Sequence, residues 1–170
     1  MAFDLSPETL SYIDKVIPRY PEKRSAIMMI LHAIQKEKGY LSLDAQKWVA
    51  EKLELQPIQV REVVTFYPFY REHPIGKRHI RVCRTLSCAL NGSYKICDKF
   101  KKEFDTELDE ISPDGRVTVE FAECLASCGT APVAMVDDEL YENLNDEQVE
   151  AICEQIKKET PAADPANADS

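Results

Sequence analysis

The chain has 170 residues, of which 44% are hydrophobic and 30% are charged, and its formal net charge is −9. This length suits one ordinary domain, or a small domain with a helical extension. No apolar run approaches the roughly 20 residues that a membrane-spanning helix needs, and the acidic start MAFDLSPETL lacks the basic and apolar regions of a secretory signal. We therefore expect a cytoplasmic protein, in which six cysteines point to metal binding rather than to disulfides.

The charge is divided unevenly along the chain. Residues 1–104 carry 18 Lys and Arg against 12 Asp and Glu, whereas residues 105–170 carry 3 against 18. The acidic second part argues against a nucleic-acid partner. Five basic residues lie before and around the first cysteine: Arg71, Lys77, Arg78, Arg81 and Arg84. They form either a solvated face or a surface close to an anionic cluster or an acidic partner.

Four short helices are predicted in the first part of the chain. Ser6 and Pro7 have the residue types of a helix start, and a second helix should run over about 22–38 and end at Gly39. Ser42 should cap a third helix, and Pro57 should open a fourth that ends before Pro68. Four short amphipathic helices predict a small bundle.

The hydrophobic period changes after the turn sequence His73-Pro74-Ile75-Gly76, which is the expected domain boundary. The elements predicted beyond it are, in order, the strand HIRVCRT, a helix over 90–104, the strands RVTVEF, VAMV and ELY, and a helix capped by Asn145. This order of strands and helices fits a thioredoxin-like α/β domain. We therefore predict an α+β protein with a helical domain at 1–76, a thioredoxin-like domain at 77–158 and a disordered acidic tail at 159–170.

Four cysteines occur as two short pairs, each after a β-branched run typical of a strand. Cys83 and Cys88 are separated by four residues, and Cys124 and Cys128 by three. Two strand-end loops of one sheet can bring four sulfurs together. Two-iron clusters accept the four-residue spacing, whereas zinc sites more often show two-residue spacings and dithiol oxidoreductases use Cys-x-x-Cys. An iron–sulfur cluster, a zinc-stapled interaction module and redox-active thiols all stay open at this point.

The other reactive side chains give weaker signals. Cys97 and Cys153 lie on apolar helix faces, where a free thiol packs as a small hydrophobe. None of His32, His73 and His79 is spaced from another histidine as a ligand pair would be. A glycine-rich phosphate loop and a nucleophile elbow are both missing from the sequence. We therefore expect no catalytic residues on this chain and a role in moving single electrons.

Several segments resemble a known family, namely KGYLS, VTFYPFY, PIGKRHIRVC and ECLASCGTAPVAMVDDELYENL. Together they are similar to the NuoE-type subunits of NADH:quinone oxidoreductase, respiratory complex I. They also resemble the matching subunits of NAD-linked hydrogenases and formate dehydrogenases. The resemblance extends over about 6–158.

This resemblance implies a thioredoxin-like ferredoxin domain behind a helical domain. One [2Fe–2S] cluster would be held by the four paired cysteines: Cys83, Cys88, Cys124 and Cys128. The partner would be a NuoF-like flavoprotein that binds FMN, NADH and a four-iron cluster, in the peripheral arm of a membrane-associated complex. The chain would then be a subunit of an enzyme without a complete active site of its own.

The chain departs from this family at Ala126, where the family commonly has glycine. If this position requires a positive φ, alanine costs on the order of 1 kcal/mol there. All four cysteines remain, so we expect the cluster to bind.

Overall fold

The computed structural model describes residues 3–159. The chain divides into two compact units, Met1–Pro74 and Ile75–Ser170. The predicted disordered tail lies almost entirely outside the described residues. Within residues 3–159, no helix combines the length and the apolar character needed to span a membrane.

The first unit consists of four helices, as predicted. They are α1 (Pro7–Val16), α2 (Ile27–Lys38), α3 (Leu43–Leu53) and α4 (Pro57–Phe66), with 3-10 turns at Ile17–Arg19 and Lys23–Ala26 between the first two. The Ser6 side chain accepts a hydrogen bond from the Thr9 amide, and the Ser42 side chain accepts one from the Ala45 amide. Gly39 ends α2 with a φ of 82°, a conformation that glycine adopts without strain. These three helix ends are therefore predicted correctly, whereas the second helix, expected from about 22, begins at Ile27 after a 3-10 turn.

The apolar faces of the four helices form one core. Its fully buried members include Ile13, Ile30, Leu31, Leu41 and Val60. Glu37 joins α2 to the start of α1, because its carboxylate accepts hydrogen bonds from the Ser6 amide at 3.0 Å and the Ser6 hydroxyl at 2.9 Å. Hydrophobic burial stabilises this unit, and polar bonds fix how its helices begin.

The second unit contains a four-stranded sheet and three helices. The strands are β1 (Arg78–Cys83), β2 (Val117–Ala122), β3 (Ala134–Val136) and β4 (Glu139–Tyr141), and the helices are α5 (Leu86–Leu90), α6 (Ser93–Phe104) and α7 (Asp146–Lys158). The sheet order is β2-β1-β3-β4. β1 and β2 are parallel, whereas β3 is antiparallel to both β1 and β4. β1 and β2 thus lie side by side in the sheet, with α6 between them in the chain.

The start predicted for the helix over 90–104 is wrong. Two helices occupy this region, and the chain turns between them at Gly92, which has a φ of 92°. The apolar residues repeat at helical spacing across the break, but the Asn91-Gly92 dipeptide is a turn signal that overrides the period. Cys88 consequently lies in a helix of its own, α5, rather than in a loop.

Helices α6 and α7 pack on the sheet through one core, which includes Phe100, Val119, Val149 and Cys153. Two arginines attach the end of α7 to the strands. Arg78 donates to the Glu159 carboxylate and to Asp137, and the Arg116 guanidinium donates to the Ile156, Lys157 and Glu159 carbonyls. Part of the basic stretch noted in the sequence is therefore used in bonds within the unit.

Candidate metal centre

The two cysteine pairs lie beyond the same ends of two neighbouring strands. β1 and β2 run in parallel, with Cys83 opposite Ala122 at the last position of the pairing. Cys83 is the last residue of β1, and Cys124 follows β2 by two residues. Because neighbouring strands lie about 4.8 Å apart, this register places the first thiol of each pair at one edge of the sheet.

The first pair is enclosed by apolar side chains. Cys83 and Cys88 are each 1% exposed and form a small buried cluster with Val133, against which Leu125 and Ala131 pack. The Cys83 amide donates to the Val133 carbonyl at 3.1 Å, which connects the end of β1 to the segment before β3. The Thr85 hydroxyl lies 3.3 Å from the Cys83 sulfur.

The second pair is on an exposed loop. Cys124 and Cys128 are both exposed, and Cys128 begins a 3-10 turn that ends at Thr130. The Ser87 hydroxyl of α5 donates to the Cys128 carbonyl at 2.8 Å and so joins this loop to the first pair. The site thus has one buried side and one side open to solvent.

The thiols influence each other's ionisation within and between the pairs. Burial raises the pKa of Cys88, and the neighbouring Cys83 and the charge of Cys128 raise it further. A hydrogen bond with Cys124 and the charge of that group raise the pKa of Cys128, with a further contribution from Cys83. Burial opposes ionisation of Cys83, but hydrogen bonds from Thr85 and the Leu125 amide outweigh it, so the pKa of Cys83 is lowered. These mutual effects follow from the proximity of the two pairs.

The loop between Cys124 and Cys128 contains a residue with a strained backbone. Ala126 has a φ of 60°, which is the left-handed region considered in the sequence analysis. Its amide donates to the Cys124 sulfur at 3.4 Å. The loop thus combines a left-handed residue with a backbone N–H group directed at a sulfur, an interaction that stabilises a thiolate.

The donor set suits a two-iron cluster. Within residues 3–159, no group of three or more His, Cys, Asp or Glu side chains is arranged to hold a metal ion. A two-iron cluster requires a different set of ligands, namely four thiolates, two on each iron. The structure supplies four free thiols in two pairs, with apolar cover on one side and the Thr85 and Ala126 donors near two of the sulfurs.

The remaining cysteines are packed in the core. Cys97 and Cys153 are buried on α6 and α7, and burial raises the pKa of Cys97 to about 11 and that of Cys153 to about 12. Among the histidines, His32 packs its ring against Phe69 at 4.7 Å between centroids, and His79 pairs with Glu120 at 3.0 Å. The two cysteines pack in the core as the sequence predicts, and the two histidines make ordinary ring and polar contacts.

Three polar residues of the site were missed in the sequence. Thr85 and Ser87 lie between the first two cysteines and contact Cys83 and Cys128, whereas Glu142 contacts the loop of the second pair from beyond β4. The position of the first two within the Cys83–Cys88 segment was an available signal. The sequence gives no comparable signal for Glu142, because its contact depends on the folded position of β4.

Comparison with known proteins finds one matching family and relatives that share one name. The family model of the thioredoxin-like [2Fe–2S] ferredoxins matches residues 13–157. The E subunit of NADH-quinone oxidoreductase from Rickettsia bellii is 35% identical over 160 residues, which cover 92% of this chain and 96% of that protein. The protein of the same name from Mycobacterium tuberculosis is 34% identical over 161 residues, covering 92% of this chain. This chain spans only 64% of the length of that mycobacterial relative.

A solved structure shares the fold. In the crystal structure of an air-oxidised NAD+-reducing [NiFe]-hydrogenase, 23% of the matching chain corresponds to 78% of this one, with a TM-score of 0.67 and 19% sequence identity. The match of the family model and the identity with the Rickettsia protein show that the chain belongs to the thioredoxin-like [2Fe–2S] ferredoxin family. This assignment confirms the predicted fold class and the predicted cofactor.

Proposed function

We propose that this chain is the electron-transfer subunit of an NADH:quinone oxidoreductase, with one [2Fe–2S] cluster held by Cys83, Cys88, Cys124 and Cys128. The observation that carries the proposal is the meeting of two free thiol pairs at one sheet edge, formed by the ends of the parallel strands β1 and β2. Relatives that are named as a subunit of this enzyme support the choice of complex.

A bound [2Fe–2S] cluster would supply one-electron oxidation and reduction. The chain's own residues would provide thiolates, exclude water from one side and direct donors at the sulfurs. Val133 and Leu125 cover the buried pair, and the Thr85 hydroxyl and the Ala126 amide lie close to the Cys83 and Cys124 sulfurs. Donors at the sulfurs favour added negative charge, and hydrogen bonding of this kind helps to set the reduction potential.

The proposed partner is a NuoF-like flavoprotein that carries FMN and binds NADH. The open side of the site supports this assignment, because Leu86 and Leu90 of α5 are 75% and 78% exposed beside the exposed cysteines. Tyr94, which packs against Phe121, is also half exposed. Apolar side chains next to a redox centre suit a protein surface that docks there. We place the chain on the cytoplasmic side, in the peripheral arm of the complex.

A corresponding subunit of an NAD-linked hydrogenase or formate dehydrogenase is the second candidate. The likeness to a chain of a NAD+-reducing [NiFe]-hydrogenase motivates it, although that likeness concerns the fold alone. Purification of the native complex under mild conditions distinguishes the two. Quinone-reducing subunits in the purified complex support the first assignment, whereas a hydrogenase or formate dehydrogenase subunit supports the second.

The cluster assignment is tested by iron and acid-labile sulfide analysis together with low-temperature EPR of anaerobically purified protein. We expect about two irons and two sulfides per chain and an EPR signal after reduction with dithionite. Cys83→Ala and Cys128→Ala should lose the visible absorption of the cluster. Cys97→Ala and Cys153→Ala are matched controls, because these buried cysteines lie in the helical core, and they should retain it.

Three outcomes would contradict this assignment. A colourless protein that contains zinc indicates the zinc-stapled module considered in the sequence analysis. A protein without metal that reduces disulfides indicates a thiol oxidoreductase. An unchanged visible spectrum in Cys83→Ala or Cys128→Ala removes that residue from the ligand set.

A further inference from the structure

Glu142 is attached to the loop of the second cysteine pair by its side chain. It is exposed and directly follows β4. Its Oε1 accepts hydrogen bonds from the Ser127 hydroxyl and, at 2.5 Å, from the Thr130 hydroxyl. Ser127 directly precedes Cys128, and Thr130 ends the 3-10 turn that Cys128 begins. The carboxylate thus binds this turn on both sides of the cysteine.

Backbone bonds from the same segment reinforce this attachment. The Asn143 amide donates to the Thr130 carbonyl at 2.7 Å, and the Leu144 amide donates to the Pro132 carbonyl at 3.0 Å. These bonds place residues 142–144 along the turn, but they do not reach its first residues. Among the contacts within residues 3–159, the Glu142 side chain is what connects this segment to Ser127, and a carboxylate can accept from both hydroxyls at once.

Within residues 3–159, the charge of Glu142 is not offset by a neighbouring cation. Glu123, a second carboxylate close to the cysteines, pairs with Arg84. Within the described part of the chain, Glu142 forms no ion pair, and its side chain bonds to the two hydroxyls. One negative charge therefore lies beside the turn that carries Cys128.

We infer that Glu142 is a positioning residue of the cluster site, which holds the Cys128 turn in its ligating shape and lowers the reduction potential through its charge. This inference rests on the proposed function. The two effects are separable by substitution. Glutamine keeps an oxygen that can accept from the hydroxyls but removes the charge, whereas alanine removes both.

The test compares Glu142→Gln and Glu142→Ala with the wild-type protein, all isolated with their clusters. Glu142→Gln should keep the EPR spectrum and bind the cluster as stably as wild type. Its ratio of reduced to oxidised cluster at a fixed solution potential should rise about threefold, or about 30 mV for a one-electron couple. A change of this small size is expected because water screens a charge at an exposed position.

Glu142→Ala should show the same rise in potential and, in addition, an altered EPR line shape and loss of visible absorption at least about threefold faster in the presence of a chelator. The control is Glu147→Gln, which removes another exposed charge from the first turn of α7. It should leave the potential, the EPR spectrum and the rate of cluster loss unchanged.

Two results overturn the inference. One is a potential in Glu142→Gln that equals that of wild type or of Glu147→Gln. The other is a rate of cluster loss in Glu142→Ala that equals that of wild type. A wild-type protein without iron would instead refute the proposed function. The iron content of the wild-type protein is therefore measured before any Glu142 variant.

Discussion

The backbone at Ala126 is the point at which a single residue affects the proposed cluster loop most directly. A left-handed φ brings the Cβ of an L-residue too close to the backbone and costs roughly 1–2 kcal/mol, whereas glycine adopts the same conformation freely. The loop nevertheless holds alanine there with a φ of 60°. The strain is tolerated in a loop whose ends are fixed by β2 and by the Cys128 turn.

Ala126→Gly should therefore stabilise the loop. The relieved strain exceeds the extra chain entropy of glycine, so we expect a net gain of about 0.5 kcal/mol. For a protein of this size, this corresponds to a rise of about 1–2 °C in the temperature at which visible absorption is lost. Thermal melts of the cluster-containing protein, followed by visible absorbance, measure it.

Ala131→Gly is the matched control for this substitution. Ala131 has a φ of −64°, where alanine is not strained, so glycine should add chain entropy, remove the methyl group that packs against the first cysteine pair, and lower the midpoint. Equal shifts of the two variants in the same direction would contradict the role of the left-handed conformation.

For single residues, the sequence predicts the features that depend on near neighbours in the chain, such as helix caps. Ser6, Ser42, Gly39 and Asn145 lie at helix ends as predicted, because capping depends on residues three or four positions away. The contact of Glu142 with Ser127 spans 15 positions, so it depends on where β3 and β4 bring the chain. The approach of the two cysteine pairs was predictable because spacing and strand patterns indicate it.

At the scale of the elements, the site depends on the pairing of β1 with β2. Gly76 lies two residues before β1 and packs closely on β2. A Cβ built on Gly76 would come within 2.5 Å of the Val117 backbone, and the Gly76 amide donates to the Thr118 hydroxyl at 2.9 Å. A backbone cannot move aside as a flexible side chain can.

Gly76→Ala should therefore destabilise the second unit. Overpacking of this kind typically costs about 1–3 kcal/mol, and displacement of β2 from β1 should also speed the loss of the cluster. Urea denaturation followed by far-UV circular dichroism and visible absorbance gives both quantities. Gly129→Ala is the control, because a Cβ at Gly129 meets no atom within 4 Å. The prediction is wrong if both variants unfold at the same urea concentration.

The short helix α5 was not predicted, and it carries two exposed leucines of the proposed docking surface. The predicted helix over 90–104 continued through Gly92, although the apolar residues on which it rested all follow that turn: Tyr94, Cys97, Phe100 and Phe104. Because the chain turns there, Leu86 and Leu90 are left exposed beside the cysteines instead of joining the core. The turn at Gly92 therefore leaves both leucines on the proposed docking surface.

Leu90→Glu should weaken docking of the flavoprotein without loss of the cluster. Placing a charge in an apolar contact leaves it without a partner, so we expect binding at least about tenfold weaker. Co-purification with the native partner and the EPR spectrum of the isolated variant measure the two effects. Leu43→Glu, which changes an exposed leucine of α3, is the control and should bind as wild type does. Unchanged co-purification of Leu90→Glu would show that the docking surface lies elsewhere.

At the scale of the whole molecule, several carboxyl groups in both units ionise more readily in the folded protein than they do as free side chains. Within residues 3–159, the carboxyl groups with a shifted pKa are Glu37, Glu54, Glu103, Asp114, Glu142 and Glu159, and each shift is downward. The largest is at Glu37, where hydrogen bonds from the Thr9 side chain and the Ser6 amide lower the pKa from 4.5 to about 2.

The sign of the pH dependence follows from the direction of these shifts. A carboxyl group with a lowered pKa in the folded state stabilises the protein fully above its unfolded pKa, and this contribution is lost as the pH falls toward the folded pKa. For Glu37, this window extends from about pH 4.5 down to about 2. The folded protein should therefore lose stability steadily as the pH falls through that range.

The single tryptophan allows this loss to be measured in the first unit. Trp48 of α3 packs against the core of that unit, so its fluorescence follows unfolding there independently of the cluster, which acid removes by protonating the thiolates. The urea midpoint from Trp48 fluorescence should fall between pH 4.5 and 2.

In Glu37→Gln, which cannot ionise, the midpoint should start lower at pH 7 and fall less. Glu8→Gln, an exposed glutamate in the first turn of α1, should keep the wild-type dependence. A midpoint that is constant or rises on acidification would contradict the assignment of Glu37 as the group that links α1 to α2.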